Sequence, residues 1–220
     1  MNKAFGNEDP RLSAYIDAVY APEDPVLAEI RTRSSAAGLP DIQVAPLDGR
    51  HLELLTRLLG ARRAVEIGTL GGYSGVCILR GMAEGGQLHS IELEPRHAEV
   101  ARESFRRAGF ATRAQVHVGA ALAVLPGLAT EGPFDLVFID ADKESYAAYL
   151  DWAADNLRPG GAVIGDNAFL FGRLPDQPGD DPKAASIRAM QAFHATLAAS
   201  GRFRATVLPT GEGLALGVKL

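Results

Sequence analysis

The sequence predicts an open α/β sheet, mostly parallel and seven-stranded, with helices on both faces and an antiparallel C-terminal strand. Three observations carry this. From Arg63 onward, short apolar runs alternate with stretches of helical periodicity. The first run, Ala64 to Ile67, breaks into the glycine-rich turn Gly68-Thr69-Leu70-Gly71-Gly72 and then a helical stretch, Tyr73–Met82. The last two runs, Phe203–Leu208 and Leu214–Leu220, are joined only by Pro209-Thr210-Gly211-Glu212-Gly213, a link that forces antiparallel pairing.

Residues 9–60 read as a helical prelude. Leu12, Tyr15, Ile16, Val19 and Tyr20 follow helical spacing, as do Leu27 and Ile30, with Pro22 and Pro25 between the two helices. Gly38-Leu39-Pro40 ends the second, Ile42–Pro46 is extended, and Leu52, Leu55, Leu58 and Leu59 mark a third helix that ends near Gly60. Such a prelude covers a face or edge of the sheet; it would also serve as a lid or a dimer surface.

Strand one is 63–67 and strand two Gln87–Glu92. Pro95 suits the first position of the next helix, which runs to about Ala108 and stops at Gly109. Strand three spans about 113–118, and Gly119-Ala120-Ala121 opens a helix ending near Pro126 or a few residues later. Strand four, Phe134–Asp140, is apolar almost throughout, as expected of a strand buried on both faces. A helix follows over about 145–157, and Pro159-Gly160-Gly161 turns into strand five, Ala162–Asp166. A loop rich in Pro, Gly and Asp leads to Asp181 and Pro182, which suit the N-cap and first residue of a helix running to about Ser200. The expectation is a single domain over 1–220.

The net charge of −5 and the lack of a basic block argue against nucleic acid or an anionic membrane as partner. The single cysteine, Cys77, precludes an intrachain disulfide and suits a reducing cytoplasm. Met1 to Glu8 lack the features of a signal peptide, and no apolar run is long enough to span a bilayer.

Ligands of open α/β sheets bind beyond the carboxyl ends of the strands. Here those ends carry Glu66-Ile67-Gly68, Glu92, Gly119-Ala120-Ala121, Asp140 and Asp166-Asn167. So many acids on one rim should repel each other unless cations sit among them. Glu66, at the end of a buried strand, needs a partner such as a cationic amino group. Glu92 stands where an acid accepts hydrogen bonds from both ribose hydroxyls of an adenine nucleoside, or is merely a charge beside the helix start at Pro95. Asp140, Asp166 and Asn167 make a hard, all-oxygen set that suits Mg²⁺, Mn²⁺ or Ca²⁺; Asp166-Asn167 alone would equally suit a capped turn. Lys143, beside a divalent cation, would lose its proton readily and act as a general base; otherwise it pairs with Asp142 or Glu144 at the surface. The glycine turn is not G-x-G-x-x-G, since Leu70 holds the second glycine position.

Val65–Ser74, Ser90-Ile91-Glu92, Phe134–Lys143 and Gly165-Asp166-Asn167 together resemble the cation-dependent class I O-methyltransferases, the catechol and caffeoyl-CoA O-methyltransferase-like enzymes with a Rossmann-like fold. The resemblance runs from about Ile42 to the C-terminus. It implies S-adenosylmethionine as cofactor, held by Glu66, Gly68, Thr69 and Ser74 at its methionine end, by Glu92 at the ribose and by Ala121 near the adenine. Val44, Gly119, Ala120 and Asp140 complete that set. It further implies Asp140, Asp166 and Asn167 as metal ligands, with Lys143 as base and Asp140 beside it in the catalytic centre. The expected reaction is methylation of one hydroxyl of a vicinal dihydroxy-aromatic, a small phenolic substrate, by a homodimer. Two other readings of the same sheet are a nucleotide-dependent oxidoreductase and a non-catalytic module that binds an adenosyl ligand. The segment Ala168–Gly172 lacks the tryptophan usual in plant members, and the first 40 residues match nothing in the family pattern, so a CoA thioester is not implied.

Overall fold

A computed structural model of the chain describes residues 9–20 and 22–220. The prelude folds as α1 (Pro10–Tyr20), α2 (Pro25–Ala36) and α3 (Pro46–Leu58). There follow β1 (Arg63–Ile67), α4 (Tyr73–Gly81), β2 (Gln87–Glu92), α5 (Pro95–Arg107), β3 (Ala114–Val118) and α6 (Ala121–Leu128). The chain then runs through β4 (Phe134–Ile139), α7 (Tyr146–Asn156), β5 (Leu157–Gly165), α8 (Ala184–Ala199), β6 (Phe203–Leu208) and β7 (Leu214–Lys219).

The seven strands form one sheet in the order β3-β2-β1-β4-β5-β7-β6. Pairing is parallel from β3 through β5, whereas β7 runs antiparallel to both β5 and β6. The strand order reverses between β1 and β4, where a crevice opens at their carboxyl ends.

Period-two alternation sends successive strand residues to opposite faces. Val65, Ile67, Val137 and Ile139 pack on one side with Leu125, Leu150 and Phe193 from α6, α7 and α8. Ala64, Leu136 and Phe138 pack on the other with Ile30, Leu52, Val76 and Phe105 from α2 to α5. Central strands covered on both faces explain the unbroken apolar run of β4.

Three details depart from the sequence reading. The first helix buries nothing: Leu12, Tyr15, Val19 and Tyr20 are all exposed, and α1 rests on α3 without covering the sheet. Its apolar spacing therefore does not reflect core packing. The residues Pro159-Gly160-Gly161 lie inside β5 and not before it. The register jumps from Phe134↔Leu157 to Leu136↔Ala162, so the extra residues form a bulge in which the missing proline N–H breaks no ladder bond. Asp181 does not start α8: its side chain accepts the Lys183 N–H at 2.7 Å and pairs with Arg173 at 2.6 Å, closing a turn before the helix opens at Ala184.

Candidate active site

Strand register builds the rim. Ile91, Ile67, Ile139 and Gly165 stand side by side across β2, β1, β4 and β5. The next residue of each strand, Glu92, Gly68, Asp140 and Asp166, therefore falls on one line. The ladder continues through them: the N–H groups of Gly68, Asp140 and Asp166 donate to the carbonyls of Ile91, Ile67 and Ile139, each at 2.9 Å. Gly68 has φ +88°, and a Cβ there would lie 2.0 Å from the Asp140 carbonyl oxygen. Only glycine lets β1 leave the sheet this close to the end of β4.

Above this line lies a cavity of about 1020 Å³. Drug-sized ligands fill sites of about 300–1,000 Å³, so it has room for a nucleoside-sized cofactor and a small acceptor together. Val44, Gly68, Thr69, Ser74, Glu92, Gly119, Ala120, Ala121, Asp140, Lys143, Asp166 and Asn167 all line it. Glu66 does not. It is fully buried behind Ser74, whose hydroxyl donates to it at 2.6 Å, while Ser90 donates to its other oxygen at 2.5 Å. Burial pushes its carboxyl up to about 7.

At the β2 end, one Glu92 oxygen accepts the N–H groups of Leu70 and Thr69 at 2.8 and 3.2 Å, and the other accepts the Glu94 N–H at 3.0 Å. The glycine turn is thus folded over this carboxylate. The Thr69 hydroxyl is buried beside Glu66, where it opposes the rise of that carboxyl. An acid at the end of β2 and a turn with glycine at φ +88°, both on the same cavity, fit an adenosyl cofactor.

At the β4 and β5 ends, burial raises the carboxyls of both Asp140 and Asp166, and repulsion from Asp140 adds to the rise of Asp166. Lys143 opposes this for both and approaches Asp140 at 3.5 Å from a short 3-10 turn, Lys143–Ser145. Asn167, at φ +53°, donates its backbone N–H to Asp166 Oδ1 at 2.7 Å. Among the described residues no three His, Cys, Asp or Glu side chains group closely enough to hold a metal by themselves. A buried and a half-buried carboxylate with one lysine, and an amide oxygen beside them, nevertheless fit a hard divalent ion that takes its remaining ligands from water and substrate.

The sequence reading missed several cavity residues. Asp48, Ile42, Tyr73, Tyr149, Phe171 and Glu212 all face the site. Tyr73 donates to Glu23 at 2.7 Å, and Arg31 stacks 4.4 Å from its ring centre, pairs with Glu23 and donates to the Val44 carbonyl at 2.9 Å. This network ties the extended segment around Val44 to α4. On the opposite wall, the Phe171 N–H donates to Glu212 at 2.9 Å, joining the loop after β5 to the loop after β6. Neither wall leaves a local signal, because each is closed by contacts between distant segments.

The O-methyltransferase family model matches residues 17–220. Most of the prelude is thus included, beyond the Ile42 boundary that the motifs suggested. A catechol O-methyltransferase of Mycobacterium tuberculosis is 44% identical over 182 residues, 83% of this chain and 82% of that protein. A catechol O-methyltransferase of Niastella koreensis is 37% identical over 88% of this chain and 87% of that protein. Among solved structures, the O-methyltransferase from Bacillus cereus in complex with SAH superimposes with a TM-score of 0.87 at 36% identity, covering 95% of this chain and 97% of that one. TomG from Streptomyces achromogenes, an O-methyltransferase involved in tomaymycin synthesis and solved with SAM, gives 0.87 at 36% identity over 97% and 99%. No helix among the described residues is long and apolar enough to cross a membrane.

Proposed function

The chain belongs to the O-methyltransferase family, and from that premise we propose that it methylates one hydroxyl of a vicinal dihydroxy-aromatic, with S-adenosylmethionine as donor and a divalent cation at Asp140, Asp166 and Asn167. The family membership sets aside the oxidoreductase and the non-catalytic module. The observation that carries the finer reading is the alignment of Glu92, Gly68, Asp140 and Asp166 along one cavity wall. The relatives named for catechol support the acceptor class.

A divalent cation, when bound, holds the acceptor oxygens and lowers the pKa of the one to be methylated. The sulfonium of the donor supplies an electrophilic methyl group. The chain's own residues do the rest. Glu92 accepts hydrogen bonds from the ribose hydroxyls. Gly68, Thr69 and Ser74 shape the cradle for the methionine end, with Glu66 fixing Ser74 from behind. Lys143 takes the acceptor proton at Nζ. Ile42 and Phe171, both largely exposed on the cavity wall, offer an apolar mouth to an aromatic ring. Catalysis then rests on positioning and electrostatics.

The test is methyl transfer to 3,4-dihydroxyphenyl acceptors. Activity lost in chelator and restored by Mg²⁺ or Mn²⁺ supports the reading, and full turnover in excess chelator overturns it. The active form proposed is a homodimer; the exposed apolar residues of α1 and the family resemblance support it. Light scattering at micromolar concentration should give twice the monomer mass of 23.3 kDa.

A further inference from the structure

We propose that Arg31 is a positioning residue for the cofactor: it pins the extended segment 40–45 along the cavity and so sets how fast a bound adenosyl ligand is released. This rests on the cofactor reading above. Residues 40–45 all line the cavity. The segment runs from the ribose end of the site to the methionine end. At its start, the buried Leu39 donates its N–H to the Ser34 carbonyl at 2.9 Å, and Arg96 in the first turn of α5 donates to the Ala37 carbonyl. That turn lies just beyond Glu92, and a Cβ on Gly71 would stand 3.6 Å from Leu39 Cδ2, so the start rests on the glycine turn. At its finish, Val44 is buried in one cluster with Leu52 of α3 and Tyr73, which precedes Ser74 in the first turn of α4.

Between these ends the segment has little to hold it. It belongs to no strand, Asp41 and Ile42 are exposed, and Gln43 donates to Asp41 within the segment at 2.5 Å. Among the described residues, one hydrogen bond joins the backbone of 40–44 to another element: Arg31 Nη2 donates to the Val44 carbonyl at 2.9 Å. Backbone without ladder bonds opens locally at low cost, so this tie decides how often the segment lifts from a ligand beneath it. The donor is itself held on two further sides. Arg31 Nε pairs with Glu23, its Cζ stands 4.4 Å over the Tyr73 ring centre, and the Tyr73 hydroxyl donates to the same Glu23 oxygen at 2.7 Å. The planar fork of an arginine serves a carboxylate and a carbonyl at once in fixed geometry, which the compact ammonium of a lysine does not. Neither Arg31 nor Glu23 lines the cavity, so both reach a ligand only through Val44 and Tyr73.

The experiment is surface plasmon resonance of SAH on the full chain, for wild type, Arg31→Met, Arg31→Lys and Glu23→Gln. Melting temperatures of the ligand-free proteins and steady-state kinetics with SAM and a 3,4-dihydroxyphenyl acceptor accompany it. Methionine keeps an apolar stem and removes every donor. In Arg31→Met, SAH should leave about tenfold faster with association little changed. KM for SAM should rise by about the same factor while kcat stays within about twofold, as when binding common to the ground and transition states is lost. Arg31→Lys should fall between wild type and Arg31→Met, and Glu23→Gln should move in the same direction by a smaller factor. Wild-type SAH release in Arg31→Met would overturn the proposal, and a lower melting temperature beside it would make Arg31 a structural residue of α2. Wild-type release with a raised KM for the acceptor alone would also overturn it, by moving the segment to acceptor recognition. Should Arg31→Met not fold, Glu23→Gln decides: faster release supports the proposal and an unchanged rate overturns it. A wild-type protein that takes up no SAH would remove the cofactor reading itself, and this inference with it.

Discussion

Lys143 Nζ donates to the phenol oxygen of Tyr146 at 2.7 Å, and that phenol stands 3.0 Å from the Asp166 carbonyl and 3.1 Å from the Ile139 carbonyl. A phenol has one proton. It therefore donates to one of the two carbonyls and accepts from the lysine. Burial holds the Tyr146 hydroxyl well above its ordinary pKa, so it remains a phenol. Its ring is sealed edge-on against Phe193, 5.2 Å between centres. The proposed base is thus tied, through one phenol proton, to the backbone where β4 and β5 end side by side.

Tyr146→Phe should keep the ring in place and lose the tie. A small misplacement of a reacting group costs about a hundredfold in rate, so kcat should fall about 10- to 100-fold while SAH affinity stays at the wild-type value. Steady-state kinetics with parallel calorimetry would read this. A kcat near wild type would mean that Asp140 alone suffices to place Lys143.

Glu92 accepts three backbone N–H groups before any cofactor arrives. Its removal should therefore loosen the glycine turn as well as lose the ribose. Charge-assisted hydrogen bonds are worth about 1.5–3 kcal/mol, so Glu92→Ala should weaken SAH binding by about tenfold to a hundredfold. A titration giving wild-type affinity would remove Glu92 from the cofactor site.

Glu66 gives a pH dependence whose sign is fixed by burial. Its carboxyl is raised from 4.5 to about 7 in the native protein, with desolvation as the main cause and the Ser74 and Ser90 hydroxyls opposing it. The folded state therefore favours the neutral acid. The stability this provides is full below the unfolded pKa and is lost as pH rises through the folded one, on the order of 3 kcal/mol in all. Glu66→Gln, which stays neutral, should gain on wild type as pH goes from 5 to 8 in ligand-free protein. Differential scanning calorimetry at the two pH values checks it; a difference that does not change with pH would mean that Glu66 ionises freely where it stands.

The sheet and most of the rim were legible because they are written locally. Each strand end carries its own acid, glycine or amide, and parallel register alone brings those ends into line. The residues that escaped are those whose meaning depends on distant partners. Asp48 sits at an ordinary position for an acid, the first turn of a helix, and nothing around it in the sequence indicates that Asp166 and Thr210 lie beside it. Tyr146 reads as one more aromatic on a helix that packs on the sheet, and its hydroxyl matters only because Lys143 and the ends of two strands meet there. The first helix misled in the opposite direction: its apolar spacing is that of a core helix, but the sheet face is already covered by α2 to α5.

The acceptor should be required to chelate, and ligand count supplies the reason. Asp140, Asp166 and Asn167 offer about three oxygens, whereas Mg²⁺ takes an octahedron of six. Asp166 Oδ1 already accepts the Asn167 N–H, which keeps the protein's share small. The other positions fall to water and substrate. A catechol fills two of them and is oriented through both oxygens at once. A monophenol fills one, and its ring is free to swing away from the methyl group. Apolar contact with Ile42 and Phe171 cannot restore that orientation, because both side chains lie largely exposed at the mouth. A phenol of pKa about 10 is also mostly protonated at neutral pH until a cation acidifies it. Paired assays should therefore show turnover of 3,4-dihydroxyphenyl acceptors and at least about a hundredfold less with the singly hydroxylated analogues. Asp166→Ala should abolish turnover of the former while SAH still binds, since Gly68 and Glu92 lie on other strands. Equal rates for the two acceptor classes would mean that the ring is oriented by the cavity walls and not through its oxygens.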